Sequence, residues 1–269
     1  MEIAEIAAID VHGHYGLYCR KGLTIQNRIM SGGVEKVLER ARTANIELTV
    51  VSPLSGLLPR MEADAAAGNE EAARVVEETP GLLQWVIVDP RRPTTFAQAA
   101  DRLRHPKCAG IKIHPEEHGY PIAREGGAIF EFAARHRAIV LTHSGEENSL
   151  PKDCVGFADR FPEVTLILAH LGCGWDRDLG HQVRAIQASE AGNIYVDTSS
   201  ASSIYAGLIE WAVQEIGASR ILFGTDTPLY SAAAQRRRIE AAEISDADKL
   251  AILRENAMRL LKPARHTSW

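Results

Sequence analysis

The stretch "AAIDVHGHYG", residues 7–16, sets an apolar run directly before two histidines one residue apart. Side chains on a strand alternate between faces, so His12 and His14 leave the same side with their roots roughly 6 to 7 Å apart. Two imidazoles so placed can converge on one ion, although zinc ordinarily takes three or four ligands. The remaining ligands must come from elsewhere in the chain.

Outward from this first strand (6–12), seven more β-rich runs follow: "IELTVVS" (46–52), "LLQWVIVD" (82–89), "CAGIKIH" (108–114), "AIVLTH" (138–143), "VTLILAH" (164–170), "NIYVDTS" (193–199) and "RILFGTD" (220–226). Several are apolar almost throughout, as parallel strands covered on both faces are. Between them lie amphipathic segments such as "GVEKVLERARTAN", "EEAARVVEE", "GAIFEFAARH" and "LIEWAVQEIG". Eight strand-helix units in 269 residues match the roughly 250 residues of a (β/α)8 TIM barrel. A doubly wound open sheet shares this alternation, but no Gly-rich phosphate loop follows the first strand. No linker or low-complexity tract interrupts the series, so the α/β chain reads as a single domain over 1–269. The segment "SDADKLAILRENAMRLL" (245–261) predicts one closing helix with Ser245 as its cap.

Composition narrows the function. Hydrophobic residues make up 45% and charged residues 24%, values of a globular protein with a large core. The formal net charge of −5 argues against a nucleic-acid partner, and Arg236 to Arg238 read as a solvated helix face. No apolar run is long enough for a membrane span and no basic leader is evident, which predicts a cytoplasmic protein. Cys19, Cys108, Cys154 and Cys173 are scattered without a Cys-x-x-Cys pair, as expected of reduced thiols.

His12, His14, His114, His143 and His170 fall at the carboxyl ends of strands one, four, five and six, the face where barrel enzymes keep their sites. Asp226 ends strand eight, which lies beside strand one in a closed barrel. His12, His14, His143 and Asp226 form a nitrogen and oxygen donor set suited to Zn²⁺, with room for water.

The motifs Asp10-x-His12-x-His14, "IKIHP", "THSG", "LAHLG", "YVDTS", "FGTDTP" and "ENAMRLL" occur in that order along the chain. With them the sequence resembles the amidohydrolase superfamily, and within it the amidohydrolase-2 group that includes aminocarboxymuconate-semialdehyde decarboxylase and several lactone hydrolases. The resemblance implies that His12, His14, His143 and Asp226 bind one catalytic divalent metal, with His170 beside the metal-bound water. Zn²⁺ is the first expectation, with Mn²⁺, Co²⁺ and Fe²⁺ as alternatives. Asp226 and His170 are the expected catalytic residues: an unprotonated Asp226 can take and return a proton, and His170 can polarise the substrate. Lys112 and His114 on strand four are candidates for a second metal, through a carbamylated Lys112, or for substrate binding; the two-metal form is the lesser expectation.

The connections after strands one and two are the longest and supply Arg20, Lys21, Arg28, Arg60, Tyr15 and Tyr18. Of these, Arg20 and Arg60 are expected to meet an acidic small-molecule substrate and Tyr15 to stack on a ring. Hydrolysis of a small ester, lactone or amide is the first expectation. Nonoxidative decarboxylation of an unsaturated or aromatic acid is the alternative. A glycosidase using Glu146 with Asp197 would leave the histidines without a role. A homodimer is left open.

Overall fold

The computed structural model describes residues 2–200 and 204–261. Eight strands, β1 (Ala8–Tyr15), β2 (Ile46–Pro53), β3 (Leu82–Ile87), β4 (Cys108–Ile113), β5 (Ile139–Thr142), β6 (Thr165–Leu168), β7 (Ile194–Asp197) and β8 (Ile221–Leu222), pair in sequential order. Every pairing is parallel. The Val11 amide donates to Phe223 O at 2.9 Å and Gly13 bridges Thr227, so β8 meets β1 and the barrel closes. The expected TIM barrel is the observed fold.

Around the strands run α1 (Thr24–Ile29), α2 (Val34–Thr43), α3 (Ala65–Glu78), α4 (Pro93–Arg102), α5 (Pro115–His118), α6 (Ile122–His136), α7 (Lys152–Arg160), α8 (His181–Ala188), α9 (Leu208–Ile216) and α10 (Ala232–Ala241). The outer core lies between strands and helices, with Val86, Ile111, Phe130, Val140 and Leu166 among its members. The barrel interior is filled by Ile9, Val11, Leu48, Val50, Trp85, Leu141 and Ile167. Trp85 is affordable there because its Nε1 donates to Val11 O at 2.8 Å.

The last segment departs from the expected single helix. Ser245 caps α11 (Asp246–Leu250) by accepting from the Asp248 amide, but a π-helical turn, Ala251–Glu255, precedes α12 (Asn256–Leu261). The wider turn frees the Ile252 carbonyl, which accepts from the Phe223 amide at 3.0 Å and ties the segment to β8.

Strict alternation would also misplace the two histidines. Ile9 and Val11 point into the barrel, so residues 12 and 14 would ordinarily face outward. Pairing slips between Asp10 and Gly13, which oppose Thr49 and Val51, and the extra residue turns both imidazoles over the barrel mouth. Gly13 allows this: a Cβ there would stand 2.6 Å from Thr49 Cγ2 and 3.3 Å from Thr227 Cγ2.

Candidate metal centre

His12 Nε2 and His14 Nε2 lie 3.7 and 3.1 Å from Asp226 Oδ1, and the three side chains are buried. Each imidazole is fixed from behind. Asp197 Oδ2 is 2.8 Å from His12 Nδ1, and the Ser52 carbonyl is 3.0 Å from His14 Nδ1. Both partners accept, so each Nδ1 carries the proton and each Nε2 turns a lone pair inward. Two imidazole nitrogens and a carboxylate oxygen converge here, with Lys112 Nζ 2.8 Å from His12 Nε2. The donor set therefore fits a divalent ion.

The electrostatics agree. Burial holds the His12 pKa down to about 4, with the Lys112 charge adding and Asp197 opposing. Burial alone would raise Asp226, but the imidazoles of His14, His12 and His170 around it hold its carboxyl well below the usual carboxylate range. Asp226 thus stays anionic and His12 neutral, the states that ligate. The Asp226 amide donates to His12 O at 2.7 Å, and its φ of 56° lies in the left-handed region.

His143 stands outside this triad. Its Nε2 is 2.7 Å from Glu146 Oε2, its Nδ1 is 3.1 Å from His170 Nε2, and its ring stacks on His114 at 4.2 Å. His170 is buried and neutral, its pKa pushed well down by burial with His143 and His12 adding while Asp226 and Asp197 oppose. Ser199 Oγ gives its only proton to Asp197, so it accepts from His170 Nδ1 at 2.7 Å. Asp197 also takes the His170 amide at 3.0 Å. This carboxylate faces the backs of the histidines, not the cavity, and has no place in a glycosidase pair.

Lys112 is 1% exposed, and its Nζ lies 2.8 Å from His12 Nε2. Burial lowers its pKa to about 8 against the pull of Asp226 and Asp197. His114 borders the cavity and caps α5, its Nδ1 accepting from the Glu117 amide at 3.3 Å.

The cavity at the barrel mouth has a volume of about 300 Å³ and is bordered by His12, His14, His114, His143, His170 and Asp226. Tyr18, Leu54, Leu57, Trp175 and Tyr230 give it apolar and aromatic walls, and Arg20 brings a guanidinium. Tyr15 does not reach it; the ring is buried with Val37, Val51, Val76 and Leu82. Tyr15 follows His14 on β1 and so takes the opposite face. Arg60 stands off the cavity wall, bound to Glu117. The sequence reading passed over Glu117, Ser199 and the bracing role of Asp10, whose carboxylate accepts from the His12 and Thr225 amides at 3.0 Å each.

A family model described as amidohydrolase matches residues 35–262, and the chain belongs to that family. The matched region starts beyond β1, so His12 and His14 lie ahead of it. Among solved structures the chain is similar to 2,6-dihydroxybenzoate decarboxylase from Rhizobium, with 16% identity, 95% of this chain and 98% of that one covered, and a TM-score of 0.72. It is also similar to 5-carboxyvanillate decarboxylase from Sphingomonas paucimobilis, at 15% identity, 95% and 98% coverage and a TM-score of 0.73. A dihydroxybenzoic acid decarboxylase from Polaromonas sp. JS666, described with bound manganese and 2-nitroresorcinol, gives 17%, 96% and 98%, and 0.70. At these identities the likeness is one of fold. No curated protein matches the chain in sequence. Among the described residues no helix is long and apolar enough to cross a membrane.

Proposed function

We propose that this protein is a metal-dependent, nonoxidative decarboxylase of a small aromatic carboxylic acid. The observation that carries the reading is the shared cavity: the His12, His14 and Asp226 donors open into about 300 Å³ walled by Tyr18, Trp175 and Tyr230 with the Arg20 guanidinium. That volume sits at the small end for ligand pockets and suits a single planar ring. The structural neighbours, decarboxylases of 2,6-dihydroxybenzoate and 5-carboxyvanillate by name, favour this alternative over the hydrolysis first expected.

His12, His14 and Asp226 would hold the ion, with His143 the candidate to complete the set on leaving Glu146. Zn²⁺ and Mn²⁺ both suit this donor set. The ion supplies Lewis acidity toward the oxygens of the substrate. Asp226, anionic at rest, is placed to take a proton from an acidic hydroxyl of the substrate or from water and return it to the ring carbon. The carbon–carbon pair stays on that carbon, CO₂ departs, and one proton is drawn from solvent per turnover. His170, neutral and anchored by Ser199, lines the cavity beside the reacting group.

The test is to incubate Mn²⁺- and Zn²⁺-loaded protein with hydroxylated benzoates in D₂O. Release of CO₂ with one deuterium at the vacated ring carbon is expected, and Asp226→Asn abolishes it. Turnover of esters or lactones, with no CO₂ from any acid, would return the assignment to hydrolysis.

A further inference from the structure

Of the five histidines that border the cavity, four have both ring nitrogens engaged. His12 meets Asp197 and Lys112, and His14 meets Ser52 and Asp226. His143 meets Glu146 and His170, and His170 also meets Ser199. His114 differs. Its Nδ1 accepts from the Glu117 amide at 3.3 Å, whereas its Nε2 meets no hydrogen-bond partner among the described residues. The ring stacks on His143 at 4.2 Å with 10° between the planes, and the His114 carbonyl accepts from the His118 amide at 3.0 Å. A nitrogen that accepts from an N–H carries no proton, so this imidazole is neutral with its one proton on Nε2. The residue is partly exposed, and the space it borders is the cavity of His12, His14 and Asp226. Glu117 and Glu146 border that space too, but Glu117 is taken by Arg20 and Arg60, and Glu146 by His143.

We infer that His114 is a fixed hydrogen-bond donor to the substrate, selecting aromatic acids that carry a second, uncharged acceptor atom. The inference rests on the proposed function and refines its substrate class. A ring that fills about 300 Å³ keeps water from the Nε2 proton, and an acceptor on the ring takes the place of that water. A donor left dry costs more than a matched one gains, so the site discriminates by rejecting the ligand that lacks the acceptor. A neutral N–H suits an ether oxygen, a carbonyl or a ring nitrogen, none of which needs a cation. The same bond to Glu117 removes His114 from a second metal centre. Ligation through Nε2 would move its proton to Nδ1, head on against the Glu117 N–H. Of the two roles expected for this histidine, substrate binding is the one its geometry allows.

Calorimetry on the Zn²⁺-loaded protein, with benzoate, nicotinate and isonicotinate as probes, tests this, since the two pyridine acids match benzoate in size and add one ring acceptor. One of the two should bind about 3- to 10-fold more tightly than benzoate. His114→Asn keeps an oxygen where Nδ1 caps α5 but no donor where Nε2 stands, and it should abolish that advantage. His114→Gln carries an amide N–H toward the Nε2 position and should restore part of it. Equal affinities for all three acids, or an advantage that survives in His114→Asn, would overturn the inference. Nitrogen NMR of the wild type gives a second readout that needs no altered chain. The His114 proton should sit on Nε2 and stay there when a second equivalent of Zn²⁺ is added, and a proton on Nδ1 or a Zn²⁺-bound Nε2 would also overturn it. The two readings fail separately. A pyridine-acid preference that follows His114 in a protein releasing CO₂ from no acid sinks only the decarboxylation. CO₂ release with the three probes bound alike sinks only the role of His114.

Discussion

Asp197 Oδ2 lies 2.8 Å from His12 Nδ1, with both side chains buried, and the same carboxylate takes the His170 amide at 3.0 Å. One residue of β7 therefore sets the tautomer of a proposed metal ligand on β1 and braces the end of β6. Replacing Asp197 by Ala frees the His12 ring to turn. Metal affinity should fall about 10- to 100-fold, read by titration of the metal-free protein with Mn²⁺ or Zn²⁺. An unchanged affinity would show that Asp197 serves the fold and not the centre.

Gly13→Ala places a methyl 2.6 Å from Thr49 Cγ2, inside a bulge with no slack. Overpacking of this kind costs about 1–3 kcal/mol. Urea unfolding should show that loss, and metal content should drop with it because the strain falls on the residue that joins the two histidines. A variant as stable and as metal-rich as the wild type would contradict the tight fit.

Acid should weaken the metal-free protein. Burial lowers the pKa of His12 to about 4 and also depresses His114, His118 and His170. Each takes a proton less readily when folded than when unfolded, where the imidazole titrates near about pH 6.5, so stability falls as pH drops below that value. Asp10 acts in the opposite sense. Burial raises it to about 7, so the folded carboxyl holds a proton between about pH 4 and 7 and gains stability across that window. Four groups against one predict a melting temperature of the chelator-treated protein that declines from pH 7 to pH 5. A flat or rising profile would refute the count.

The thiols should divide by environment. Cys19 is exposed, whereas burial raises Cys154 to about 12 and Cys108 to about 11. A thiol-reactive dye at pH 8 should label Cys19 at least ~100-fold faster than Cys154 in the native state, with the difference lost in denaturant. Rapid native labelling of Cys154, identified by peptide mapping, would mean that α7 opens readily.

The barrel was legible because its signals are local. Apolar runs such as "IELTVVS" mark β2 almost to the residue. The His-x-His pair was legible for the same reason, since a period of two places both rings on one side. The bulge that turns them inward was hidden, because it depends on pairing with Thr49 and Val51 of a neighbouring strand. Tyr15 was misjudged for a related reason: its proximity to His14 in sequence puts it on the other face. The hold of Glu117 on Arg20 spans 97 residues and leaves no mark in either segment. His143 shows the limit of motif reading, since a strand-end position did not specify whether its ring would turn to the triad or to Glu146.

The join between β8 and β1 brings together residues as far apart as Asp10 and Thr225, 215 positions along the chain. Both histidine donors of the triad stand on one side of that join and Asp226 stands on the other. An ion held there works as a clasp on a hoop. It could be gripped only after the eighth stave has come round to the first, so a nascent chain would not retain it until β8 has been made. Once gripped, it resists opening at the contact whose closure cost the most chain entropy. Metal uptake during refolding would therefore serve as a clock for the last step of barrel assembly.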